Sequence, residues 1–191
     1  MTRFRFAPIP AALPATVPFT GPETLERRRG QRFIARLGAN ESGFGPSPLA
    51  VAAMQRAAGD IWKYGDSDSY DLRHALAAHH RVAPENIMLG EGIDGLLGLL
   101  VRLMLAPGEV VVTSRGAYPT FAYHVAGFGG RLVEVPYRDD AEDPEALAAA
   151  AQAHDARLVY LANPDNPIGS WHQGRRIEAM RDALPASALL V

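Results

Sequence analysis

Three short segments of the chain carry residue types at spacings that could do chemistry. The first is Gly90-Glu91-Gly92-Ile93-Asp94-Gly95, set between a short apolar segment at 86–89 and an amphipathic stretch from Ile93. Read as strand, turn and helix, it presents free backbone N–H groups and the positive end of a helix dipole, a place for an anion such as phosphate. Glycine removes the Cβ that would keep a phosphate away. The string also fits the G-x-G-x-x-G dinucleotide spacing, in which an acidic residue about 20 positions on holds the ribose. Glu109 has that spacing but begins its own strand, and Arg115 could instead meet a 2′-phosphate. A tight turn with no ligand fits the same residues. The second segment is Asn163-Pro164-Asp165-Asn166-Pro167-Ile168-Gly169, directly after an apolar run. Two prolines and a glycine fix this loop where ligands of open α/β sheets bind, at the carboxyl end of a strand. Asn166 lies between fixed neighbours, suited to one pointed hydrogen bond, although the same residues also make ordinary turns. The third is Ala117-Tyr118-Pro119, which puts an aromatic ring, or a plain packing residue, at the same sheet edge.

The elements that must position these residues follow from periodicity. Residues 1–35 are proline-rich and then charged, and read as an extended arm. Pro46-Ser47-Pro48 opens a helix carrying Leu49, Ala52, Ala53 and Arg56, with proline at a first helical position. Asp68 is placed to cap the next helix, with Asp71 in its first turn. Residues 86–89 are expected to form a strand. Ile93 to Leu105 has apolar residues at three-and-four spacing, stopped by Pro107-Gly108. Val110 to Thr113 is a β-branched run, hence a buried strand. Helices are expected over 118–127, from Asp143-Pro144-Glu145, and over 175–184; strands over 131–135, 157–161 and 188–191. Strands alternating with helices of about ten residues mean crossover units: an α/β fold with a mostly parallel sheet and helices on both faces.

Composition removes several function classes. The 191 residues contain no cysteine, which excludes disulfides, thiolate metal sites and cysteine nucleophiles. The six histidines show no metal-ligand spacing, and no metal is expected. A net charge of −2 gives no basic field for nucleic acid or an anionic membrane. The longest apolar stretch, 93–106, is interrupted by Asp94 and Arg102 and is too short to span a bilayer, and prolines 8, 10, 14, 18 and 22 break any signal-peptide core. A cytoplasmic location is the expectation. Of the 19 basic residues 18 are arginine, so any chemistry needing a lysine amine must use Lys63 or lie outside this chain.

Taken together, four segments resemble the fold-type I pyridoxal-phosphate aminotransferases, most of all the histidinol-phosphate aminotransferases. The segment from Leu37 to Pro48 is similar to that family's "LNxNENPYGPSP". Lys63-Tyr64-Gly65-Asp66 with Tyr70-Asp71-Leu72-Arg73 is similar to "RYPD…YELR", Pro84 to Ile87 with Gly90-Glu91-Gly92 to "PENIxxGNG", and Asn163 to Gly169 to "NPNNPTG". The chain departs from these patterns at Ile93, where a small hydroxyl residue is usual, at Gly43 and Gly65 in place of prolines, and at Ile168 in place of threonine.

The resemblance implies a cofactor, pyridoxal 5′-phosphate, and roles for particular residues. The amides of Gly92, Ile93 and Asp94 would hold its phosphate, Tyr118 would stack on its ring, and Asn166 would hydrogen-bond its phenolic oxygen. Tyr64 would reach the phosphate of a partner subunit's cofactor, which implies a homodimer. Ala39 and Asn40 would lie near the substrate carboxylate and Phe44 near its side chain. The substrates implied are an amino donor, histidinol-phosphate-like, and a 2-oxo acid acceptor. The implied domains are an arm and small-domain segment over 1–45 and part of a cofactor-binding large domain over 46–191. The Schiff-base lysine, the aspartate facing the pyridine nitrogen and the binding arginines would all lie beyond Val191. The chain thus reads as the N-terminal part of such an enzyme, inactive by itself and contributing no catalytic residue. Two other readings stand beside it: an NAD(P)-binding domain of an oxidoreductase, and a non-catalytic truncated paralogue.

Overall fold

The computed structural model describes residues 5–15, 19–38 and 40–191. Its elements, in chain order, are α1 (Pro8–Ala11), α2 (Pro22–Arg29), α3 (Pro48–Ala57), α4 (Tyr70–His80), α5 (Gly92–Met104), β1 (Val110–Ser114), α6 (Pro119–Gly127), β2 (Arg131–Val135), α7 (Pro144–His154), β3 (Leu158–Val159), α8 (Gly174–Asp182) and β4 (Leu189–Leu190). They gather into two units, one of residues 1–19 and 91–191 and one of residues 20–90. No helix among the described residues is long and apolar enough to cross a membrane.

The larger unit is built on a four-stranded, fully parallel sheet in the order β2-β1-β3-β4. All five residues of β1 are buried, as a central strand covered on both faces requires. Side-chain alternation splits them between two cores. Val110 and Val112 pack with Leu147 and Ala151 of α7, Val159 of β3 and Met180 of α8. Val111 packs with Leu97 and Val101 of α5, Phe121 and Val125 of α6, and Leu158 of β3. Helices therefore cover both faces, as expected. Each fully buried Val or Leu here contributes roughly 1.5–3 kcal/mol of burial. Asp143 caps α7, its Oδ1 accepting from the Ala146 amide at 3.2 Å, with Pro144 at the first helical position.

The smaller unit contains α2, α3 and α4. Ser47 caps α3 by accepting from the Leu49 amide. Arg36 joins Glu23 at 2.7 Å and Glu41 at 2.6 Å.

Three expectations need correction. Residues 86–89 form no strand: Pro84–Asn86 is a 3₁₀ turn, and although Ile87 is extended, the segment joins no ladder among the described residues. A short apolar run becomes a strand only where a neighbour offers its backbone groups. The N-cap residue of α4 is Ser69, without a side-chain cap bond, and the carboxylate that takes the first helical amide is Asp66 rather than Asp68: it accepts from the Tyr70 amide at 2.7 Å and the Asp68 amide at 3.1 Å. The N-terminal arm is not simply extended: its prolines open two helices, at Pro8 and Pro22, and α1 packs on α6.

Candidate functional site

The order β2-β1-β3-β4 contains a reversal. From β1 the chain crosses to β2 on one side, and from β3 to β4 on the other. At such a point the two outgoing connections part and leave a crevice at the carboxyl edge, where open α/β sheets bind ligands. Tyr118 follows β1 and Asn166 follows β3, so these two flank the crevice.

The start of α5 closes the same edge. Gly92 opens the helix in the left-handed region, at φ 71°, which a residue with a Cβ adopts only at a cost. The first amides of α5 have no acceptor within the helix and point outward with the positive end of its dipole. A Cβ built on Gly92 meets nothing within 4 Å, so there is open space for a ligand. Asp94, in the first turn, accepts from the Tyr118 hydroxyl at 2.5 Å. This bond ties the start of α5 to the start of α6. It also holds the Tyr118 phenol above its ordinary pKa, with burial adding to the effect.

The 163–169 loop is fixed by its own side chains. Asn163 accepts from the His172 amide at 2.8 Å and donates to the His172 carbonyl at 3.1 Å. Asp165, buried, accepts from the Ile168 amide at 3.2 Å and from the Tyr137 hydroxyl at 3.1 Å. The Asp165 backbone closes the turn with Ser170 and Gly169. His172 is buried, its Nε2 donating to the Glu142 carbonyl at 2.9 Å and its Nδ1 accepting from Arg176 at 3.1 Å. Arg176 in turn grips Glu145 and holds that carboxyl well below the usual range. Asn166, at the tip of this braced loop, is half-buried.

Behind the loop lies Glu142, 2 % exposed. Burial first, and then the Asp165 charge, push its carboxyl up to about 7, while Ser114 and the Ala162 amide pull the other way. Tyr160, stacked on Phe121 at 4.5 Å, is raised to about 12, mainly by burial.

Gly92, Ile93, Asp94, Tyr118 and Asn166 thus all lie in the larger unit at its carboxyl edge. Tyr64, Asn40 and Phe44 belong to the smaller unit, where Tyr64 and Phe44 are fully exposed and Asn40 has a left-handed backbone at φ 52°. Ala39 lies outside the described residues. Sequence reasoning missed Tyr137, Glu142, Asp165 and His172 as parts of the site's frame. The connection from 136 to 143 carries no periodicity, and nothing in a lone acid or tyrosine marks it as buried. The dinucleotide reading loses its context, because that fingerprint needs a strand running directly into the glycine turn and none forms at 86–89.

The model of the aminotransferase class I and II family matches residues 34–191, which include every element of this edge. The chain belongs to that family. Among relatives of this chain, the histidinol-phosphate aminotransferase of Anaeromyxobacter sp. is 38% identical over 95% of this chain and 50% of its own length. That of Maricaulis maris is 40% identical over 82% of this chain and 43% of its own. The crystal structure of the Sinorhizobium meliloti histidinol-phosphate aminotransferase in complex with pyridoxal-5′-phosphate superimposes with a TM-score of 0.93 and 57% identity, over 99% of this chain and 50% of that one. The chain spans about half the length of the curated relatives it matches.

Proposed function

We propose that this chain is part of a pyridoxal-phosphate-dependent aminotransferase that moves an amino group from a histidinol-phosphate-like amine to a 2-oxo acid. The observation that carries this reading is the crevice between β1 and β3, with an anion-ready helix start, an aromatic ring and a fixed asparagine at one edge. The group fits these residues: Gly92 leaves room for a phosphate above free amides, and Tyr118 and Asn166 stand on either side of the crevice. Pyridoxal phosphate, when bound, supplies an electron sink for the carbon next to the substrate nitrogen.

The chain's own residues would do the rest. The amides of Gly92, Ile93 and Asp94 hold the phosphate. The Tyr118 ring lies against the cofactor ring, worth roughly 0.5–1.5 kcal/mol beyond burial. Asp94 takes the Tyr118 hydroxyl and so fixes the ring's tilt. Asn166 donates to the phenolic oxygen, with the Asp165 and Asn163 contacts keeping it in place. By the family resemblance, Asn40 and Ala39 would meet the substrate carboxylate, Phe44 its side chain, and Tyr64 the phosphate held by a partner subunit in a homodimer. Proton transfer by a lysine amine is not assigned to this chain, because Lys63 is ion-paired with Asp60 at 2.6 Å in the unit of residues 20–90.

A chimera tests the reading. This chain replaces the matched half of the Sinorhizobium meliloti enzyme, and amino transfer from histidinol phosphate to a 2-oxo acid is measured. Turnover that disappears on Asn166→Ala supports the proposal. A folded chimera that binds pyridoxal phosphate but leaves histidinol phosphate unchanged rejects the substrate, and one that does not bind the cofactor rejects the site.

A further inference from the structure

Two buried carboxyls sit under the loop that presents Asn166, and their surroundings are unequal. Asp165 is 5 % exposed and accepts from the Tyr137 hydroxyl and the Ile168 amide. Glu142 is 2 % exposed, and neither of its carboxyl oxygens has a hydrogen-bond partner. Ser114 Oγ, also buried and unpartnered, acts on the same carboxyl. An ionised carboxylate with no donor is among the costliest groups to bury, and two such charges acting on each other in a dry site cannot both persist. Asp165 has two donors in hydrogen-bond contact, whereas Ser114 and the Ala162 amide lie near Glu142 without closing a bond and do not outweigh its burial, so the negative charge belongs to Asp165 and the proton to Glu142.

We propose that Glu142 is a positioning residue that holds its proton until the pH reaches neutrality and, while protonated, leaves Asp165 as the lone charge under the loop and so holds Asn166 in place. The inference rests on the reading of Asn166 as a cofactor contact; the protonation itself does not. The groups facing Glu142 can be named element by element. Tyr160 comes from the end of β3, Asp165 from the following loop, Ser114 from the end of β1 and Tyr137 from the exit of β2. The His172 ring holds Glu142's own carbonyl. On its own segment stand Asp139, Asp140 and Asp143, and Arg138, whose guanidinium is engaged by Asp143 at 3.0 Å. No cation among the described residues is in ion-pair contact with Glu142. Loss of its proton puts two charges under the loop, with only Ser114 and the Ala162 amide near enough to Glu142 to offset the second. The pair's repulsion then acts on Asp165, the residue next to Asn166. The burial-raised carboxyl, up to about 7, puts this change within the working range of a protein at neutral pH.

The test is a pH titration of the ligand-free chain by NMR. The Glu142 carboxyl carbon and the Asn166 side-chain amide are followed together in wild type, Glu142→Gln and Asp165→Asn. The expected result is one midpoint near 7 for both signals in wild type, a flat Asn166 amide over that range in Glu142→Gln, and a lowered Glu142 midpoint in Asp165→Asn. A Glu142 carbon titrating in the usual carboxylate range overturns the proposal. So does an Asn166 amide that ignores the Glu142 midpoint. Should Glu142→Gln fail to fold, the wild-type titration and its shift in Asp165→Asn still decide. A chain that shows the coupled titration yet binds no pyridoxal phosphate counts against the functional reading and leaves this one standing.

Discussion

Gly92→Ala separates the two things asked of the start of α5, its backbone shape and its open space. The residue sits at φ 71°, and a Cβ there has nothing within 4 Å to strike. The cost to stability is therefore conformational and not steric, about 1–2 kcal/mol for an L-residue in the left-handed region. With a urea slope of about 1–3 kcal/mol per molar, the unfolding midpoint should fall by roughly 0.3–2 M. Gly30 is the natural control. It has φ 68° and the same empty surroundings, but it ends α2. Gly30→Ala should lose similar stability. The two variants part in ligand binding. The methyl of Gly92→Ala enters the open space at the start of α5, so inorganic phosphate and pyridoxal phosphate should bind about tenfold more weakly or worse, a loss of roughly 1.4 kcal/mol. Gly30→Ala should bind both as wild type does. Urea unfolding by circular dichroism and phosphate titration by calorimetry measure the two effects. A Gly92→Ala chain that binds phosphate as well as Gly30→Ala refutes the anion-site reasoning, whatever its stability.

Other expectations follow from single contacts. Tyr118→Phe removes the 2.5 Å bond to Asp94 and keeps the ring, so stability should fall by about 0.5–1.5 kcal/mol while cofactor binding survives; Tyr118→Ala should weaken cofactor binding further. Equal binding by both variants, measured by fluorescence titration, contradicts the stacking role. Glu142 has a folded-state carboxyl raised from 4.5 to about 7, so its contribution to stability is full below pH 4.5 and is lost as pH rises through 7. The wild-type stability, taken relative to Glu142→Gln, should therefore drop by about 3 kcal/mol across that window, and a flat difference in urea unfolding speaks against a buried protonated acid. Leu147→Ala empties a fully buried position between α7 and the sheet and should cost about 2–5 kcal/mol, against well under 1 kcal/mol, roughly, if that core were loosely packed.

The parts of this fold that could be read from sequence are those set by local signals. Val110 to Thr113 and Arg131 to Val135 are β-branched or alternating runs, each with glycine shortly before it, and both are strands. Asp143-Pro144 and Ser47-Pro48 are cap-and-proline pairs, and each starts a helix. The strand expected at 86–89 failed because strand formation is a property of a pair of segments. Asp66 took the cap expected of Asp68 because capping depends on which carboxylate the turn aims at the free amides, a matter of backbone geometry two residues away. The site followed the same division. Gly92, Tyr118 and Asn166 stand out because turn chemistry and element order place them at one edge. Glu142, Asp165, Tyr137 and His172 are joined only through tertiary contacts spanning up to 30 residues, as between His172 and Glu142, and no spacing rule links them.

The claim at the centre is that the crevice between β1 and β3 holds a phosphate-bearing ring. Amide NMR of the chain during a pyridoxal phosphate titration tests it most directly, in a Lys63→Arg background so that the one lysine side chain cannot capture the aldehyde. The expected result is a saturable, concerted shift of the Gly92, Ile93, Asp94 and Tyr118 amides and of the Asn166 side chain, reversed by inorganic phosphate at the helix-start residues. Saturable shifts that leave these five residues still and move a different surface would contradict it.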